Sequence, residues 1–572
     1  LHSIVRHPGR GLPRLLLFLL VGCGFGLGSV GAAGSRERPR IYAITGAKIV
    51  AAPGRTIDKG TIVLRDGLIE SVGASVAVPP DAVEIDGSGR FVHAAFIDAD
   101  SSLGFAAAPG SAGGGGGGEG GQGRAQRREE PTGAVHAISR IHPETRVSDK
   151  LLPFTGDRKK DVERIRNLGF AVVLATPSEG VLRGSSAAIL LADDRPVAEL
   201  ILRDDVAQHA AFERGRFGQG YPTSLMGTVA ALRQALLDAE RHKTWAERYA
   251  ANPVGMKRPD GQAAWGALVP VLERKSKLIF RTDDARDTLL AHSLGKEFDL
   301  DVAVSTASYE WELADALGQA GRVLIVSVAF PDKPEVKDDD EALEVTLDQL
   351  RRYVDAAAGP GKLATAGVRF ALTMRGLKNT ADFPKQVRKM IEAGLSPDTA
   401  LAALTTVPAE LLGISRSAGT LEAGKVANLV VADGPLFAEE TKLRQVFVDG
   451  VPYEIEVKEK PKGDPNAVVD PRGDWSVALE IGGRTVERKW TIGGDKGAYS
   501  GTAETQSGTV TFDSVKLEGN VLTVVFPAQG DRPASEATVI IEGETFEGTA
   551  EFGTRTVELT GSRTSGPGGG GR

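Results

Sequence analysis

Two strand-rich pieces, far apart in the chain, constrain the fold more than any other feature. Between residues 41 and 85, short runs such as Tyr42-Ala-Ile-Thr, Ala47-Lys-Ile-Val and Thr61-Ile-Val-Leu-Arg alternate with polar turns. Asp66-Gly67, set between two β-branched runs, is the strongest hairpin signal, because glycine accepts positive φ. The second piece holds Asn428-Leu-Val-Val-Ala and Leu443-Arg-Gln-Val-Phe-Val. Neither piece is large enough to hold a core alone. The pattern therefore predicts one small composite β-domain, built from residues 41–90 and 411–456 on both flanks of a central domain.

The central region, 91–410, alternates short apolar runs with amphipathic helices. Phe170-Ala-Val-Val-Leu, Lys277-Leu-Ile-Phe, Asp301-Val-Ala-Val, Arg322-Val-Leu-Ile-Val and Val368-Arg-Phe-Ala-Leu are strand candidates, each separated by helical sequence. Buried parallel strands read as continuous apolar runs, so this rhythm predicts an α/β domain, a TIM (β/α)8 barrel rather than a Rossmann half. No G-x-G-x-x-G follows a strand and no phosphate-binding P-loop is present, so nucleotide cofactors have no support. Between positions 110 and 123 ten of fourteen residues are glycine, and 106–131 reads as a disordered insertion. A polar linker at 457–472 leads to a C-terminal unit, 473–563, whose period-two alternation predicts an all-β sandwich-like domain or small barrel. Residues 564–572 read as a disordered tail.

Charge and histidine placement narrow the function. The 572 residues carry a formal charge of -7, which provides no field for nucleic acid. A single cysteine excludes a disulfide framework and any Cys-rich metal site. That cysteine, Cys23, ends Leu20-Val-Gly-Cys, behind Arg6, Arg10 and Arg14 and the apolar run 15–22. Residues 1–34 read as an export signal in three forms that stay open: a cleaved signal peptide, a lipoprotein signal lipidated at Cys23, or an uncleaved anchor. Each places the body outside the cytoplasm, as a periplasmic, extracellular or outward-facing membrane-attached protein.

Residues 42–103 and 363–455 resemble the amidohydrolase superfamily, with imidazolonepropionase- or dihydroorotase-like members as the most similar. The resemblance rests on Asp58-Lys-Gly60, Val63-Leu-Arg-Asp-Gly67, Phe96-Ile-Asp98, Ala400-Leu-Ala-Ala-Leu-Thr405-Thr-Val-Pro408 and Gly419-Thr-Leu-Glu-Ala-Gly424-Lys-Val-Ala-Asn428. It implies a metal-dependent barrel with histidines on strands one, five and six, a carboxylated lysine or glutamate on strand four, and an aspartate on strand eight. Imidazole and carboxylate suit zinc, which then generates hydroxide near neutral pH. Here the His-x-His positions hold Asp100 and Ser102, the fifth-strand position Arg281, and the eighth Met374. No histidine follows His292.

The expectation is therefore an exported amidohydrolase-like binding or scaffold barrel without the usual catalysis. It is expected to have no cofactor, with a small anionic molecule or a protein as partner. The alternative is an active hydrolase of amide C–N bonds with a divalent metal such as zinc on Asp100 and His142. The candidate pocket comprises Asp98, Asp100, Ser102, His142, Arg281, Asp283 and Arg375, with Asp284 and Lys378 nearby. Asp98 and Asp100 lie on one side of an extended strand; they either share a cation, or Asp98 braces the mouth and Asp100 is merely polar. Of the other histidines, His93 reads as a satisfied or surface group, and His209 and His242 as helical or loop residues.

Overall fold

The computed structural model describes residues 41–104, 136, 138–193, 195–215, 221–307, 309–321, 323–334, 336, 338–456, 463–481, 484–505, 508–527, 535–552 and 555–566. The export signal with Cys23, the glycine-rich insertion and most of the tail lie outside these residues. Among those described, no helix is long and apolar enough to cross a membrane.

Strands from both flanks of the central unit share one eight-stranded sheet. Strands β1 (Ile41–Ala52), β2 (Arg55–Arg65), β3 (Leu68–Gly73), β4 (Val83–Asp86) and β5 (Phe91–Ala94) come from the first flank. The second flank adds three more strands to the same sheet at Leu429–Ala432, Leu443–Val448 and Val451–Glu454. The junction is β5 against Leu429–Ala432, with His93 opposite Val430. Ile44, Ile49, Ile62, Leu64, Leu429 and Phe447 fill a core of its own. Gly67 takes φ 83° in the hairpin, as the Asp-Gly signal requires.

His93 departs from its expected role. It is buried, stacks on Phe91 at 6.3 Å, and neither ring nitrogen has a hydrogen-bond partner. Burial lowers its pKa to about 4, against 6.5 for a free imidazole. Between those values the unfolded chain binds a proton that the fold refuses, so stability is full above pH 6.5 and is lost as pH falls toward 4. The loss approaches roughly 3 kcal/mol. His93→Phe should flatten this part of the pH dependence; denaturant unfolding of both proteins between pH 4 and 7 checks it.

The central unit holds β6 (Phe96–Ser101), β7 (Phe170–Ala175), β8 (Leu182–Ser185), β9 (Ala187–Leu190), β10 (Ile201–Arg203), β11 (Ala207–Ala211), β12 (Lys277–Arg281), β13 (Val302–Thr306), β14 (Val323–Ser327) and β15 (Arg369–Thr373). One sheet orders β10-β9-β7-β6 and another β15-β14-β13-β12-β11-β8. The 182–190 segment joins them, since β9 pairs with β7 and β8 with β11. Thr373 at the end of β15 donates its hydroxyl to the Asp100 carbonyl of β6 at 2.9 Å, bringing the outer strands together.

The candidate strands named from sequence are separated by helices, but β8 to β11 were not foreseen. β7 turns directly into β8 and β9, which run antiparallel to β11 and β7 respectively. Gly184 explains how the reversed segment fits. It sits at φ 104°, and a Cβ there would lie 2.1 Å from the Thr145 carbonyl oxygen, so the strand packs against 141–146 backbone to backbone. From β11 to β15 helices separate the strands; the long helix Leu225–Ala251 is capped by Ser224, whose side chain accepts from Gly227 N–H. Phe96, Phe170 and Phe383 pack edge to face under the strands, with centroids 5.0–6.2 Å apart.

The C-terminal unit is a closed barrel, which corrects the sandwich-like reading. Its strands are Gly473–Ile481, Arg484–Asp495, Ala498–Thr505, Gly508–Thr511, Ser514–Glu518, Val521–Phe526, Ser535–Glu542, Thr545–Phe552 and Arg555–Ser565. Eight of them close, because Arg484–Asp495 pairs with Gly473–Ile481 on one edge and Ala498–Thr505 on the other. Alternation reports which face is buried but not whether edges meet, so a sandwich and a small barrel look alike in sequence. Trp475, Trp490, Phe512 and Phe546 fill the interior.

Candidate functional site

Asp100 is the centre of the site. It is the penultimate residue of β6, a strand buried on all but its last residue, Ser101, so its carboxylate leaves water only if other groups take its charge. They do. Thr176, just after β7, donates to Oδ1 at 2.7 Å, and Ser305 on β13 donates to Oδ2 at 2.5 Å. Arg375, two residues beyond β15, donates to Oδ1 at 2.5 Å. Arg281, at the end of β12, stands 3.7 Å from the same oxygen. Burial by itself would raise the Asp100 pKa, but Arg375, Ser305, Thr176 and the nearby His209 hold it below the usual carboxylate value.

Asp98 behaves differently two residues earlier. It is 1% exposed and accepts the Asp100 N–H at 3.2 Å. Burial pushes its pKa up to about 7, with the Asp100 charge adding to the rise and bonds from Thr373 and the Met374 backbone opposing it. Asp98 thus bonds to the backbone of its own strand end. Asp100 is not merely polar: it is the hub.

A further carboxylate, Glu213, is linked to Asp100 through Arg183. Arg183 on β8 donates to Glu213 at 3.0 Å and to the Gly180 carbonyl at 2.9 Å, and Arg140 also donates to Glu213. Arg183 is near enough to feel both Asp100 and Arg375. His209 on β11 is buried among these groups, and burial lowers its pKa to about 4.

Of the residues named from sequence, the structure brings together Asp98, Asp100, Arg281 and Arg375. Ser102 and Asp283 are exposed, and Asp284 caps the helix Ala285–Glu297. Lys378 pairs with Asp332 on the surface. His142 is half-exposed; its Nε2 lies 2.5 Å from the Ser139 carbonyl and its Nδ1 3.8 Å from Glu144. Sequence reasoning missed Arg183, Glu213, Thr176 and Ser305, and misplaced His209, which sits on a strand rather than in a helix or loop. The signal was present: Gln208-His209 interrupts an otherwise apolar run from Val206 to Phe212, and a polar pair inside a buried strand needs a reason.

The donor set does not fit a divalent metal. Both Asp100 oxygens already accept hydrogen bonds, and two guanidiniums supply the positive charge a metal would bring. Among the described residues no group of three His, Cys, Asp or Glu side chains converges to hold an ion.

Residues 346–468 match the amidohydrolase family. No curated protein matches the chain. Among solved structures, an amidohydrolase from Thermotoga maritima MSB8 aligns with a TM-score of 0.57 at 21% identity, over 72% of this chain and 100% of that one. That likeness is one of fold. A prolidase crystallised with N-methylphosphonate-L-proline aligns at 14% identity and a TM-score of 0.43, over 73% of this chain and 100% of its own. A β-aspartyl dipeptidase from Fervidobacterium islandicum AW-1, bound to β-Asp-Leu, aligns at 12% identity and a TM-score of 0.37, over 74% and 99%.

Proposed function

We propose that this chain, an amidohydrolase-superfamily relative by its matched segment and its fold, is an exported binding or scaffold barrel that works without a catalytic metal. The strand order around the central unit supports a (β/α)8 barrel with its third position reversed. Its mouth lies at the carboxyl ends of β6, β12 and β13, where Asp100, Arg281 and Ser305 sit.

One observation carries the reading. The carboxylate at the first metal-ligand position spends both oxygens on Thr176, Ser305 and Arg375. A metal could reach Asp100 only by displacing a buried ion pair, and breaking such a pair costs several kcal/mol. The arginines do here what a cation does in the family: they neutralise the carboxylate and tie β6 to β12 and β15.

Thermal unfolding with chelator, and then with added zinc or manganese, tests this. A site filled at a hundred times its dissociation constant adds about 2.7 kcal/mol. The expected result is a melting temperature unchanged by either treatment. A rise with metal, reversed by chelator and absent in Asp100→Ala, would overturn the reading.

A further inference from the structure

Positive charge is left over at the mouth. Arg140 and Arg183 share the Glu213 carboxylate, while Arg281 and Arg375 share that of Asp100. Four guanidiniums thus meet two carboxylates in partly dry surroundings, with side-chain exposures of 16%, 5%, 20% and 27%. The proximity of Arg375 opposes the charge on Arg183, so the two repel across the site. His209, neutral at pH 7, takes up none of the excess.

Unused hydrogen-bonding groups belong to the same side chains. Arg281 Nε, Arg140 Nε and His209 Nε2 are shielded from solvent and have no hydrogen-bond partner. His209 is only 6% exposed. Each such group is stabilised when a ligand or water supplies the missing partner. Arg281 is the clearest case, because its one described partner is 3.7 Å away, beyond hydrogen-bond length.

We infer that the barrel mouth binds a small oxyanion bearing two negative charges, as carboxylate or phosphate oxygens, with Arg183, Arg281 and Arg375 as donors and His209 beside them. Guanidiniums suit this class because their planar fork matches paired oxygens on one face. With the neighbouring Asp98 protonated, two charges on the ligand balance the two left over by Glu213 and Asp100. The assignment rests on the mouth being a binding site rather than a metal centre.

Calorimetric titration of the whole chain with inorganic phosphate and with succinate, at fixed ionic strength, separates the two sources. Saturable binding of at least one anion is expected, weakened by roughly tenfold or more in Arg281→Gln, as for loss of a charged hydrogen bond. Arg488→Gln, on the C-terminal barrel, should bind as the parent does. Arg281→Lys keeps the charge but loses the fork and should fall between, which guards against a misfolded glutamine variant. No saturable binding up to roughly 10 mM, weaker than any specific site, would overturn the ligand assignment. So would equal binding by parent and Arg281→Gln. If metal content is also at background, the metal-free reading stands without it; stoichiometric metal would remove both.

Discussion

Asp100→Ala should destabilise the central unit by about 3–5 kcal/mol, the range for breaking a buried ion pair by removing one partner. The reason is what remains. Arg375 and Arg281 keep their charges with no carboxylate between them, and the Ser305 and Thr176 hydroxyls lose their acceptor. Asp100→Asn should cost less, since the side chain still offers an oxygen, but it also lacks the counter-charge. The triple variant Asp100→Leu, Arg281→Met, Arg375→Met should recover most of the loss, because apolar residues of similar size often replace a buried ion cluster at little cost. Such recovery is strong non-additivity and marks the three as one unit. Denaturant unfolding of the single and triple variants measures it. A single-variant loss below about 1 kcal/mol, within the range of surface ion pairs, would contradict the structure.

Trp490→Ala is the second large effect. Trp490 is 2% exposed and lies 5.5–5.7 Å, centroid to centroid, from Phe512, Phe526 and Phe546. Truncating a buried tryptophan costs about 3–5 kcal/mol, through lost burial and the cavity left behind. Marginal domains hold about 5–15 kcal/mol in all, so this change removes much of the C-terminal barrel's stability. Its core forms a cluster separate from that of the central unit. Calorimetric melting should therefore show the barrel's transition moving down sharply while the central one stays within a degree or two. A common shift of both transitions would show that the two cores unfold together.

How much of this was legible depended on which physical signal each element carries. The composite β-domain was readable because its two pieces were each too small to fold and because Asp66-Gly67 names its own turn. The strands Phe170–Ala175, Lys277–Arg281 and Arg369–Thr373 announced themselves as apolar runs of strand length. The reversed segment at 182–190 was not, since an apolar run carries no direction and its fit depends on Gly184 meeting a loop forty residues earlier. Closure of the C-terminal barrel was hidden for a similar reason, as one strand's two edges share one sequence.

The site was half legible. Asp98, Asp100, Arg281 and Arg375 followed from positions where the family resemblance expects metal ligands or lies close to them. Arg183 and Glu213 come from segments thirty residues apart and meet only because β8 and β11 pair. His209 was misread because a polar residue in the middle of a strand looks like a loop until its neighbours are known to be buried. The guanidinium cluster itself could not be seen, because residue type gives charge but not which charges touch.

The most direct test of the account is the metal content of the purified chain. Cells would be grown with zinc, manganese and iron, the protein isolated without chelators, and its elements counted by mass spectrometry beside Asp100→Ala. The arginine-held mouth predicts background metal in both proteins. Near-stoichiometric metal in the parent, lost on replacing Asp100, would contradict it.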